Sequence, residues 1–198
     1  MGDPRIHEGA IVEPGAIIGA DATIWRGARV RSGAIIGAGV SLGQSVLVSG
    51  GVIVGDRCRI QDDALLFDGV TLDADVFIGP GVVFTNVRTP RAFISRRAAF
   101  EKTGVGRGAS IGANATIVCG VSIGSGALIG AGAVVTHNIG AFEIVVGNPA
   151  RRLGWACWCG ERLVATLTCP RCGLTYAEQD DELEPLDPLP WADAEVAR

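Results

Sequence analysis

From Val12 to Phe84 an aliphatic or aromatic residue recurs at every sixth position without a gap: Val12, Ile18, Ile24, Val30, Ile36, Leu42, Val48, Val54, Ile60, Leu66, Leu72, Ile78 and Phe84. Two residues before each from Ile18 onward stands a second, small inward candidate, running Ala16, Ala22, Ala28, Ala34, Val40, Val46, Val52, Cys58, Ala64, Val70, Val76 and Val82. A period of six matches neither the 3.6 of a helix nor the 2 of an isolated strand. It matches a hexapeptide β-solenoid, in which each hexad supplies one short strand and one corner and three hexads close a triangular coil. The aliphatic residue fills the interior, and the small one fits where the prism narrows. Glycines after the aliphatic position, such as Gly37, Gly43 and Gly79, suit corners where backbones approach closely. One coil cannot bury a core alone, so stability has to come from stacking. The fold class is therefore all-β.

The period breaks after Phe84 and resumes out of phase at Val105, Ile111, Ile117, Ile123, Ile129 and Val135. The intervening stretch from Thr85 to Gly104 carries Arg88, Arg91, Arg96, Arg97 and Lys102. An excursion of this length inside a compact domain is often functional. It reads either as a solvated loop or, given its charge and position, as an active-site loop reaching toward an anionic ligand.

Composition narrows the alternatives. A formal net charge of −4 gives no electrostatic reason to expect a nucleic-acid partner. No apolar run approaches the length of a membrane span, and Met1 to Ala10 lacks the charged and apolar regions of a signal peptide, so a cytoplasmic location is expected. The stretch 178–198 is an acidic, Pro-rich tail, expected to be extended or irregularly packed.

Of the six cysteines, Cys58 falls on the small inward position and Cys119 lies in the repeats at a non-core phase. Cys157, Cys159, Cys169 and Cys172 cluster behind the solenoid as Cys157-Trp-Cys159-Gly160 and Cys169-Pro-Arg-Cys172-Gly173, two knuckles flanking a strand-like Leu163 to Leu167. Four thiolates on two tight turns suit a closed, structural Zn2+ site. The first pair is spaced CxC rather than CxxC, and a disulfide pair, free thiols or iron are the other readings. The expected organisation is thus a β-helix over 1–154 with an inserted loop at 85–104, a zinc-ribbon-like module over 155–177, and the tail over 178–198.

Several segments carry a resemblance: Ile24-Trp25; Ile60-Gln61 with Asp62 and Asp63; Asp68-Gly69-Val70-Thr71-Leu72; and Gly79-Pro80-Gly81-Val82-Val83-Phe84-Thr85-Asn86-Val87 continued by Pro90-Arg91. Further along come Ile111-Gly112-Ala113-Asn114-Ala115-Thr116-Ile117, the run Ile129 to Thr136, and Val146-Gly147-Asn148-Pro149-Ala150-Arg151. Across roughly Ile6 to Trp155 the chain resembles the left-handed β-helix N-acetyltransferases that act on nucleotide-linked amino sugars. It is most similar to those for UDP-2-acetamido-3-amino-glucuronate. The resemblance implies a left-handed parallel β-helix, a homotrimer with its sites in clefts between neighbouring prisms, and acetyl-CoA as co-substrate. Acetyl-CoA would run along Gly112, Gly130 and Ala131, where small residues admit an extended chain, and on to Asn148. Arg151 and Arg152 would meet the CoA phosphates or serve as ordinary surface charges.

The implied chemistry is attack of a neutral amine on a thioester. The resemblance places Asn86 beside the sugar amine, orienting it; a corner asparagine satisfying loop backbone is the other reading. His7 and His137 are the only histidines, neither inside the coils, and both are expected at the surface. Relatives carry histidines where this chain has Arg26 and Arg29, paired asparagines where it has Asp62 and Asp63, and an aromatic hydroxyl where it has Phe67. Arg26 and Arg29 suit bidentate binding of a diphosphate or a uronate, or else ion pairs with Asp62 and Asp63. Gln61, Asp62, Arg88 and Arg91 complete the expected substrate side. Two rivals stand beside this reading. A carbonic anhydrase on the same prism needs three His ligands, and the chain has two His in all. A non-catalytic scaffold has no use for the basic loop. A dTDP-linked 3-amino-deoxysugar is the competing substrate.

Overall fold

A computed structural model describes residues 2–189. The chain is the parallel β-helix that the hexads require. Arg5 pairs with Thr23 and Thr23 with Ser41, a register of 18 residues that corresponds to three hexads per coil. Two-residue strands stack into three faces of nine, seven and six strands, parallel throughout apart from the last strand of the first face. Corner turns join the faces, so the prism has three edges, each a column of equivalent residues.

The core follows from the spacing. From Ala22 to Phe84 every aliphatic position and every small position two residues earlier is buried at 0–1% exposure. Each buried Ile, Leu or Val contributes roughly 1.5–3 kcal/mol. Ala10, Val12, Ala16 and Ile18 are only partly buried, because the first coil has a neighbour on one side only. Corners need left-handed backbone, and Asp21, Arg57, Asp63, Asp75 and Asn114 adopt it with φ of 57–63°. Asp and Asn tolerate that region better than most side chains. One edge also carries an ion ladder: Asp75 accepts from Arg57 Nε at 2.7 Å and from Arg107 Nε at 2.9 Å.

That ladder sets a pH dependence. Hydrogen bonding from Arg57, opposed by desolvation and helped by Arg107, holds the Asp75 carboxyl below its usual value. A depressed carboxylate contributes stability above its unfolded pKa of about 3.9 and loses it as pH falls. Asp75→Asn is expected to cost about 1 kcal/mol at pH 7, with the difference from wild type shrinking in denaturant melts as pH falls through the depressed pKa of the folded carboxylate. A difference that persists in acid would mean that the ion pairs contribute nothing.

Four details differ from the hexad and motif pattern. The loop re-enters the coil at Thr103, which takes the small inward position at 2% exposure in the strand Thr103–Val105. A hydrophobic pattern overlooks a threonine there. The solenoid continues past Val135: Ile139 bridges Ile123, and Glu143–Val146 extends the first face. These residues fall out of the hexad phase. Leu163 to Leu167 forms no strand; isolated bridges link Ala156 to Arg162 and Thr168 to Thr175 on either side of it. The start of the expected irregular tail is an antiparallel hairpin, Tyr176–Gln179 with Glu182–Pro185; positions 190–198 lie outside the described residues.

Candidate functional site

The two edges bordering the second face carry the site residues. On the first edge, where chain passes from first to second face, the corners hold Arg26, Gln61 with Asp62, Gly112, Gly130 with Ala131, and Asn148. On the second edge the loop leaves after Val83–Phe84. Asn86 stands at its base, with Arg88 and Arg91 beyond. Arg29 projects from the face between them. One chain therefore brings the expected CoA track together with Arg26, Gln61 and Asp62 along one edge, and sets Asn86, Arg88 and Arg91 a full face away.

The base of the loop is tightly held. Glu101 N–H donates to the Asn86 carbonyl at 3.0 Å, Arg88 Nε donates to Glu101 Oε2 at 2.9 Å, and Cys119 N–H donates to Thr85 Oγ1 at 3.0 Å. Gly120, at φ 80°, leaves room for this clasp: a Cβ there would lie 2.9 Å from the Arg88 guanidinium. The backbone of Asn86 thus closes the loop, whereas its carboxamide makes no hydrogen bond among the described residues and faces outward half-buried. The corner-asparagine role falls to the carbonyl and leaves the side chain free. Glu101, the only carboxylate between Thr85 and Gly104, was missed by sequence reading; that uniqueness in a basic loop was its signal.

The cationic residues divide. Arg88 is committed to Glu101, and Arg91 donates to the Pro90 carbonyl at 2.9 Å. Arg26 and Arg29 are exposed and have no ion pair among the described residues, so pairing with Asp62 and Asp63 does not occur. Instead Asp62 Oδ1 accepts from Gln44 N–H at 2.7 Å, and Asp63 supplies corner geometry at φ 60°. Arg151 is exposed. Arg152 is engaged within the chain: it pairs with Glu143, Glu178 and Asp181 and lies 3.7 Å from the Trp155 ring centre, which docks the C-terminal hairpin.

The glycines of the CoA track have a reason within the chain itself. A Cβ on Gly112 would sit 2.5 Å from Ala131 N, and one on Gly130 would meet Val146. Coil stacking demands glycine at 112, where the contact is backbone, and favours it at 130, where the nearest contact is the Val146 side chain. His137 is exposed; His7 stacks on Trp25 with its Nε2 enclosed and unpartnered. Trp25, Ser41, Gly43, Gln44, Ile60, Gln61 and Asp62 line a groove of roughly 210 Å3 beside that stack.

All six cysteines are free. Cys58 is core, its thiol pushed up to about 11 by burial, and Cys119 is fully buried as well. The Sγ atoms of Cys157, Cys159, Cys169 and Cys172 lie within 4.8 Å of one another, with Cys157–Cys172 at 3.4 Å and Cys159–Cys169 at 3.6 Å. Four thiolates about 2.3 Å from a tetrahedral metal stand about 3.8 Å apart, so the cluster fits a metal ion. The Tyr176 hydroxyl accepts from Trp158 N–H at 2.8 Å and shares a hydrogen bond with Cys157 Sγ at 3.2 Å. Burial pushes Cys157 up to about 12; at Cys169, against the same desolvation, the N–H groups of Cys172 and Arg171 bring the thiol down to about 6. In the CxC half, the hydrogen bond from Trp158 N–H ties the turn to Tyr176.

The coils, the two corner edges and the clasped loop define a hexapeptide-repeat β-helix. Residues 102–137 match the bacterial transferase hexapeptide model (six repeats), and residues 9–44 match the hexapeptide repeat of succinyl-transferase. Among solved structures, the acetyltransferase domain of PglB from Neisseria gonorrhoeae is 27% identical, with a TM-score of 0.53 over 76% of this chain and 57% of that one. PerB from Caulobacter crescentus, solved with CoA and GDP-perosamine, is 22% identical, with a TM-score of 0.51 over 77% and 58%; at that identity it speaks for the fold. The chain thus spans less than two thirds of the length of both. No curated protein sequence matches it.

Proposed function

We propose that this chain is an acyl-CoA-dependent N-acyltransferase that moves the acetyl group of acetyl-CoA onto the amino group of a nucleotide-linked sugar. The likeness to the Neisseria acetyltransferase domain carries this reading. The acceptor is a UDP-linked 3-amino-uronate, and the product serves surface polysaccharide synthesis. The amine lone pair attacks the thioester carbonyl carbon, the C–S bond breaks, and CoA leaves as a thiolate that takes the amine proton as the amide forms. A carboxamide cannot accept a proton at neutral pH, so Asn86 orients the amine, and its unpartnered side chain supports that role. Arg26 and Arg29, which have no ion pair among the described residues, suit the diphosphate and the carboxylate.

A homotrimer would suit the same geometry. Asn86 and the CoA track occupy different edges of one prism, and a neighbouring copy would bring the two edges into one cleft. The four thiols would hold Zn2+, which with four protein ligands has no open position and supplies structure, not chemistry.

Mass spectrometry after incubation with acetyl-CoA and a panel of UDP- and dTDP-linked amino sugars tests the reaction. The expected result is a gain of one acetyl group on the UDP-3-amino-uronate. No gain on any sugar by a chain that still binds acetyl-CoA would sink the acceptor assignment, and no CoA binding would sink the reaction.

A further inference from the structure

The first edge holds a feature that the transfer reaction does not explain. Ile6 pairs with Ile24, Ile24 with Leu42, and Leu42 with Ile60. The residues that follow, His7, Trp25, Gly43 and Gln61, therefore stand one above another, one per coil. Coils repeat at roughly 4.8 Å, a step close to the separation of stacked aromatic rings. The chain shows this itself: His7 lies on Trp25 with ring centres 4.2 Å apart and planes 18° from parallel. One face of the indole is thus covered at the next coil level. On the other face the next level belongs to Gly43, which has no side chain to fill it.

The vacancy is fixed by the fold. A Cβ on Gly43 would lie 2.7 Å from Asp62 N and clash with the Asp62 carboxylate, so coil stacking excludes any larger residue. The result is the groove with Trp25 as floor, Gln61 as roof, and Ser41, Gln44 and Asp62 at its rim. Asp62 is held in place by Gln44 N–H at 2.7 Å and, being acceptor-only when ionised, favours a ligand edge that offers N–H. Arg26, next to Trp25 in the chain, is exposed and has no ion pair among the described residues.

We infer that the level left open by Gly43 between Trp25 and Gln61 is an intercalation slot for the base of a nucleoside diphosphate, stacked on Trp25 with its N–H edge toward Asp62. Uracil, thymine and guanine have such an edge. The identity of the ligand rests on the nucleotide-sugar reading above; the slot rests on the coil spacing.

Calorimetry of the full chain with UDP, dTDP, GDP and, as a base-free probe, pyrophosphate tests this without acetyl-CoA. At least one nucleoside diphosphate should bind more tightly than pyrophosphate. Trp25→Ala should weaken that diphosphate roughly five- to hundredfold, the loss expected for one base stacked on an aromatic ring, and leave pyrophosphate unchanged. Trp25→Phe should keep most of the affinity. Gln61→Trp, which fills the slot from above without touching the backbone, should abolish the advantage of the base, and it keeps the question answerable if Trp25→Ala does not fold. Equal binding of pyrophosphate and all three diphosphates overturns the slot. So does a Trp25→Ala chain that binds them as wild type but self-associates less, which would assign the groove to a neighbouring copy. Base-dependent binding without acetyl transfer would sink the proposed reaction and leave the slot standing. Acetyl transfer with an unchanged KM in Trp25→Ala would do the reverse.

Discussion

Asn86→Ala should fold and melt like the wild type and lose about a hundredfold in kcat, the scale of effect seen when a reacting group is misplaced by an ångström or so. The first half of that expectation rests on the hydrogen bonding of the loop. Asn86 closes the loop through its carbonyl, which alanine retains, and the carboxamide has no hydrogen-bond partner among the described residues to lose. A surface change of this kind stays within about 0.5 kcal/mol of wild-type stability. The second half rests on the proposed transfer, in which the side chain orients the attacking amine. Steady-state kinetics on the acetylated sugar should show the loss in kcat more than in KM for acetyl-CoA, because the proposed role of Asn86 is to orient the sugar amine and not to hold CoA. Wild-type turnover in this variant would remove Asn86 from the mechanism. A loss matched by a lowered melting temperature would make it a structural residue.

Cys169→Ser should abolish stoichiometric zinc and release the C-terminal module while leaving the solenoid intact. Apparent binding energies of structural zinc are about 10–16 kcal/mol, more than a module this small can replace by packing. Its apolar cluster joins Phe142, Trp155, Leu163, Tyr176 and Leu183 to Cys157 and Cys169, so losing the metal loosens the ring contacts with the solenoid end. The solenoid core is a separate cluster that contains none of these residues. Elemental analysis should therefore fall from one zinc per chain to none, and limited proteolysis should cut beyond Trp155 while the β-sheet circular dichroism persists. Wild-type protein purified with zinc in the medium yet holding none would refute the metal assignment. Collapse of the whole sheet signal in the variant would show that the module supports the solenoid.

Much of the fold could be read directly, because hexad spacing translates into burial with little intervening context. Ile24 and Phe84 are buried for the same reason, sixty residues apart. The reading failed where a residue broke the chemical alphabet without leaving the geometry. Thr103 fills a small inward position that the aliphatic pattern did not admit, and Ile139 and Val145 extend the prism out of phase. The site was less legible. Gly112 stands where the sequence suggested room for a ligand, yet the backbone of the next coil already requires it. Arg26 and Asp62 lie on the same edge without pairing, since Asp62 is turned to the Gln44 amide. Arg152 is consumed by carboxylates at 143, 178 and 181, a convergence that linear spacing does not reveal.

By itself the sequence determined the repeat, and with it the prism, its core and its corners, because periodicity is a local property that stacking copies from coil to coil. It determined the four-thiol cluster as well, since ligand type and knuckle spacing are written along the chain. Only the tertiary structure decided which groups are free to act: the unpartnered carboxamide of Asn86, the committed guanidinium of Arg152, and the empty level above Trp25. Those depend on which residues from distant coils arrive at the same point, and a hydrogen bond or a clash there is settled by distances that no one-dimensional pattern contains.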